Sequence, residues 1–347
     1  MVFISKIFFF MMYTPNIGKT SESSVYILGQ ILAIPFIFLT LIPFYYIDKT
    51  EKGCNILTLS RYVNKKFSMA VGLFYWAYMI FTAVNTSINF DFYLTSAVYP
   101  ESKSMVFIFV IVLSAMYCTM MGIEPLARFS GFVIITIIIS GLLIFFPLLN
   151  EINLSYINLP KSIQWSEILK AVYYSVISKN EFVLLYIIND HTDDNLSKGV
   201  SKYVFWEVGF YELVSVFTLA VFGSNSKMLM YPLYMLSNMA RLSVLERTDA
   251  IHAVIWIFVA FIKISLFITA ATKILSERFS LSYKKAAFLN TAVTMFFSLA
   301  LSKSFNALYN IRLFTMTGVL FLIFSFVIPV TVILLVKTKK LKVKRSV

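Results

Sequence analysis

Apolar residues run along this chain in long blocks separated by short polar breaks, a pattern of membrane-spanning helices rather than of half-buried strands. Read against the breaks, the blocks predict spans near 3–16, 24–47, 69–97, 104–121, 126–149, 168–189, 203–222, 253–276, 286–302 and 310–336. A bilayer core about 30 Å thick takes roughly 20 apolar residues per helix, whereas a membrane barrel would show alternating strands of about ten. The expected fold is therefore an all-α polytopic membrane protein: one transmembrane domain over residues 1–336 with about ten helices, then a basic tail over 337–347.

Polar connections fall at 48–66, 98–103, 150–167, 190–202, 223–252, 277–285 and 303–309. Within the longest of them, Tyr231–Leu245 has apolar residues at helical spacing with polar groups between, which predicts an amphipathic helix on the outer surface. The first span is barely half a bilayer, because Thr14-Pro15-Asn16-Ile17-Gly18 is a helix-ending sequence. No small-residue cleavage site follows it, so a shortened first helix is expected, from a late-assigned start or a truncated paralogue, rather than a signal peptide.

Composition sharpens the class. Of 347 residues 59% are hydrophobic and 14% charged, against about 25% charged in an average soluble domain. Soluble enzymes, disordered chains and disulfide scaffolds are excluded. With two cysteines, Cys54 and Cys118, and two histidines, His191 and His252, the chain lacks the usual ligand set for structural zinc or iron–sulfur; no metal or other cofactor is expected, and the thiols are expected free. The net charge of +13 could suggest nucleic acid, but the basic residues punctuate apolar segments instead of forming a basic face with aromatics, so none is expected. Their placement sets orientation. With the C-terminus inside, the cytoplasmic loops and tail hold seventeen Lys and Arg against eight outside, which puts both termini in the cytoplasm.

Charge inside a membrane is costly, so each instance needs a reason. In the sixth span Ser178-Lys179-Asn180-Glu181 interrupts two apolar stretches at mid-depth, predicting either a helix break or a helix facing a wet cavity. Half-helix ends would offer unpaired backbone groups to a zwitterion. Lys263, deep in the eighth span, either pairs with a carboxylate such as Glu181 or Glu212, faces a pocket that binds a carboxylate, or snorkels with no ligand role. In the third span Tyr78, Thr82, Asn85, Thr86 and Asn89 form one polar helix face, suited to a ligand or to interhelical hydrogen bonding. Asp91 is expected to snorkel or cap, Glu207 to be solvated near the inner interface, and Glu212 to serve an interhelical bond or a function. Two loops combine acid and base: Glu124 with Arg128 in a short inner turn, and Glu246, Arg247 and Asp249 before the eighth span. The acids suit helix starts; the arginines are expected to pair with neighbouring loops. Nothing resembles a nucleophile–base pair, a phosphate loop or a HExxH metal sequence, so an enzyme is not expected.

Several separated stretches together resemble the B subunit of spore germinant receptors, the GerAB/GerKB type within the amino acid–polyamine–organocation transporter superfamily. They are Gly122-Ile-Glu-Pro-Leu-Ala-Arg128, Glu181, Tyr231-Pro232, Glu246-Arg-Thr-Asp-Ala250, Ile255-Trp256-Ile257 and Phe261-Ile-Lys-Ile-Ser265. The resemblance implies a transporter-like, inverted-repeat fold in the inner membrane of a dormant spore, assembled with an A subunit and a lipoprotein C subunit. It implies binding of a small germinant, commonly an amino acid, in a pocket lined by Tyr78, Thr82, Ser178, Lys179, Asn180, Glu181, Lys263, Ser265 and Thr269. The alternatives from other classes are an amino acid or cation-coupled transporter using the same pocket, and a decayed paralogue.

Overall fold

The computed structural model describes residues 1–12, 23–50, 53–102, 104–157, 164–188, 196–240, 249–304, 310–311, 314–315 and 317–345, without the side chains of 8–12, 23, 104, 227, 249 and 340–345. Among these residues there is no strand. The helices are α1 (Val2–Met12), α2 (Ser23–Thr50), α3 (Ile56–Val63), α4 (Lys65–Tyr93), α5 (Ser104–Met121), α6 (Ile123–Leu148), α7 (Trp165–Ile177), α8 (Phe182–Ile188), α9 (Leu196–Phe222), α10 (Pro232–Met239), α11 (Asp249–Phe279), α12 (Tyr283–Ser302), α13 (Val319–Leu322) and α14 (Ile328–Arg345).

Among the described residues, eight helical stretches are long and apolar enough to cross a membrane: Ser24–Thr50, Lys65–Val98, Ile123–Glu151, Trp165–Ile188, Leu196–Ser226, Ala250–Phe279, Tyr283–Ser302 and Val319–Lys339. The chain is thus a polytopic membrane protein. The apolar α5 is shorter, and α1 has 11 residues, so the ten expected spans resolve into eight long ones and two short.

Helix α11 forms the centre. It packs against α1, α4, α5, α6 and α12, while α2 lies on α7 and α9. Of its most apolar window 72% is buried, against 28% for α6; a helix apolar all round belongs inside, and one whose apolar side chains stay exposed meets lipid. Close approach of α2 to α7 depends on Gly29, since a Cβ there would collide with Ala171. Gly318 works similarly at the start of the last span: its φ of 66° is left-handed, and a Cβ would run into Ile177, the last residue of α7.

Three departures from the sequence reading matter. The connection 48–66 contains α3, which buries Ile56, Leu57, Leu59 and Ser60 while Arg61 and Tyr62 stay exposed. Asn55 caps it by accepting the Thr58 N–H at 2.8 Å. Second, the last span carries a π-helical turn, Ile323–Val327. The carbonyls loosened there accept hydrogen bonds from buried tyrosines, Phe324 O from Tyr75 and Ser325 O from Tyr186, each at 2.7 Å. Third, the basic tail continues α14 to Arg345, and its first lysines touch α2 and α3: Lys339 Nζ donates to Val63 O at 2.8 Å, and Lys337 Nζ lies 4.4 Å from the Tyr46 ring centroid. Of the helix expected over Tyr231–Leu245, Pro232–Met239 is helical, whereas residues 241–245 lie outside the described residues.

Candidate functional site

The sixth span breaks where its sequence turns polar. Helix α7 ends at Ile177, α8 begins at Phe182, and Ser178–Glu181 are non-helical between them. In a dry interior the freed backbone groups must find partners. The Lys6 ammonium donates to Ser178 O, and Tyr78 Oη donates to Asn180 O at 3.1 Å, with Asn180 Oδ1 at 3.3 Å. Lys179 and Phe182 N–H groups are taken up by Val176 O and Lys179 O at 3.3 and 3.0 Å.

Around this break sits a buried cluster of charge. Lys263 Nζ on α11 donates to Glu181 Oε1 at 2.6 Å, and Lys179 Nζ in the break to Glu207 Oε1 on α9 at 2.5 Å. Lys6 Nζ on α1 lies between the pairs, 3.7 Å from Glu181 Oε2 and 4.0 Å from Glu207 Oε1. All five residues are at most 5% exposed. Such burial withdraws each charge from water at a cost of several kcal/mol, which only close pairing offsets. Four elements meet here: the short first helix, the break in the sixth span, α9 and the central α11.

Of the readings left open for Lys263, the structure shows the pair with Glu181. It also corrects Glu207, which is wholly buried rather than solvated; α9 begins at Leu196 instead of near 203, so Glu207 lies close to mid-helix. Both Glu212 carboxylate oxygens are buried and make no hydrogen bond among the described residues.

Of the residues expected to line a pocket, Tyr78, Ser178, Lys179, Asn180, Glu181 and Lys263 converge at the break. Thr82 is buried one turn along α4, and its hydroxyl returns to Tyr78 O at 3.0 Å. Ser265 and Thr269 do not join them. Thr269 Oγ1 donates to Thr119 Oγ1 on α5 at 3.2 Å, and Ser265 stands about 200° around the helix from Lys263 at 100° per residue. The polar stripe on α4 is otherwise spent within its own helix, Thr86 on Thr82 O and Asn89 on Asn85 O, both at 2.7 Å. Lys6 was not among the sequence candidates. The signal was a single lysine between Ile4 and Ile7 in an apolar helix, the same anomaly that marks Lys263.

Among the loop residues, Arg128 pairs with Glu124 one turn back on its own helix at 2.6 Å, both side chains about three-quarters exposed, and not with a neighbouring loop. Such a pair contributes roughly 0.3–0.5 kcal/mol. Glu246 and Arg247 lie outside the described residues, and Asp249 opens α11. Asp91 does not snorkel: it is 4% exposed near the C-terminal end of α4. Nearby, Tyr231 and Trp256 meet across Tyr93, whose ring centroid is 5.0 Å from the first and 3.2 Å from the second. These two motif residues therefore fasten α10 to α4 and α11.

A separate groove of about 740 Å³ opens between α4, α5, α6 and α11, walled by apolar residues such as Phe90, Val110, Phe129 and Phe258. None of the charged cluster lines it.

No curated protein matches the sequence. Residues 11–307 match the profile of the Spore_permease family, described as spore germination protein. That match covers most of the 347 residues, and the chain belongs to the spore germination protein family.

Proposed function

We propose that this chain is the membrane subunit of a spore germinant receptor, binding a small germinant, an amino acid by preference, at the broken sixth span. The observation that carries the reading is the buried charge cluster at that break in a chain of a spore germination family. A zwitterion carries the two charges that such a cluster offers partners for: an ammonium for Glu181 or Glu207, a carboxylate for Lys179 or Lys263. Binding that rearranges these pairs would favour one packing of α1, α7–α8 and α11 over another, and a ligand shifts such an equilibrium only through its different affinity for the two states. In the proposed assembly the shift passes to an A subunit and a lipoprotein C subunit in the spore inner membrane, with no catalytic step.

The test is germination of spores carrying the intact gene, a deletion, Glu181→Ala or Lys263→Ala. Dipicolinate release is scored over a panel of amino acids, sugars and nucleosides, and protein level is checked by immunoblot. The expected result is loss of one germinant response, or a tenfold or greater rise in the concentration it needs, since a lost charge-assisted bond costs about 1.5–3 kcal/mol. Unchanged responses in a strain without a second receptor would overturn it. The broken span also suits alternating access, and uptake of labelled amino acid into vesicles would favour a transporter.

A further inference from the structure

A third buried ammonium, that of Lys6, joins the two close pairs of the charge cluster. Lys263 with Glu181 and Lys179 with Glu207 are each closed at 2.6 and 2.5 Å. Lys6 is 0% exposed and reaches a carboxylate of each pair. Its surroundings explain why it is tolerated. The ammonium meets the carbonyl of Ser178, the residue that caps the C-terminal end of α7, with carboxylate oxygens of Glu181 and Glu207 at 3.7 and 4.0 Å. A helix C-terminus is the negative end of its dipole and favours a cation. A carbonyl together with carboxylate oxygens is also the donor set by which proteins hold hard cations and ammonium groups. Moreover, Glu181 Oε2 and Glu207 Oε2 are buried and make no hydrogen bond among the described residues, so acceptor capacity remains at the same place.

We propose that Ser178 O and the carboxylates of Glu181 and Glu207 form a binding site for a monovalent cation or a primary ammonium, and that the Lys6 side chain fills this site from within the chain. The site lies at the junction of α1, the break and α9, so its occupant ties the first helix to the sixth span. The inference concerns what occupies the cluster and stands whether or not the chain senses a germinant.

Lys6→Ala removes a segment the size of n-propylammonium and should leave the site open to a solute. Lys6→Met fills the same space without charge and should leave nothing to fill. The purified full chain in detergent is melted across a concentration series of n-propylammonium, sodium, potassium and tetramethylammonium chlorides. For Lys6→Ala the expected result is a melting temperature below wild type that rises saturably with n-propylammonium, or with sodium or potassium. Tetramethylammonium, which has no N–H and is too large, should not raise it, and neither wild type nor Lys6→Met should respond. Equal effects of all four salts, a response shared by Lys6→Met, or no response would overturn the proposal and leave Lys6 a structural tie. If Lys6→Ala yields no folded protein in plain buffer, monodisperse yield after solubilisation in each salt is read instead. Recovery selective for n-propylammonium or a small cation upholds the site, and its absence overturns it.

Discussion

At the scale of single residues the membrane interior makes pairing compulsory, and the Lys263–Glu181 contact shows the consequence. At 2.6 Å, with both side chains buried, truncating Lys263 leaves Glu181 with the more distant Lys6 ammonium at 3.7 Å, and breaking a buried pair costs up to about 3–5 kcal/mol. Lys263→Met should therefore lower stability by at most about that amount, and Lys263→Met with Glu181→Gln by clearly less than the sum of the two single changes. Melting the four proteins in one detergent checks it; strictly additive effects would refute a direct pair. How much of this was legible is plain from individual residues. Lys179, Glu181 and Lys263 stand out because a charge in an apolar block needs an explanation. Ser265 entered through the family resemblance, but two residues from Lys263 along a helix is nearly the opposite face. Glu207 looked like an interfacial residue only because its helix starts earlier than its hydropathy suggests.

At the scale of elements the sixth span carries the argument. Four consecutive polar residues end α7 without Gly or Pro, because Lys179 and Glu181 reach partners on three other helices and the freed carbonyls of Ser178 and Asn180 are taken by Lys6 and Tyr78. The break stays in register through close packing behind it, where Gly29 of α2 meets Ala171 of α7. Gly29→Ala should lower the melting temperature through overpacking of about 1–3 kcal/mol. Adding Ala171→Gly should restore much of the loss, less the helix penalty of the new glycine, about 1 kcal/mol. Failure of the second change to rescue would mean that the two helices do not meet there. Sequence marked the break; the glycine contact is invisible in it, since a small residue in an apolar helix has no signature until its neighbour is known.

Over the whole molecule we propose an orientation set by the charge bias of the loops. Under the proposed topology both ends face the cytoplasm, so green fluorescent protein fused to either end should fluoresce, while a cysteine introduced at Ser102, in the connection after α4, should react with an impermeant thiol reagent added from outside, on a background in which Cys54 and Cys118 are replaced by serine. Fluorescence at neither end would reverse the orientation. The class, an all-helical polytopic membrane protein, followed from the sequence alone, because hydropathy answers directly to the bilayer, a solvent whose thickness and polarity are the same for every segment. Partner choice did not. Which lysine meets which glutamate, that Lys6 enters the cluster, and that Thr269 turns away from it were decided by how the helices pack, since side chains distant in sequence compete for the same buried oxygens and only the folded arrangement says which come within reach.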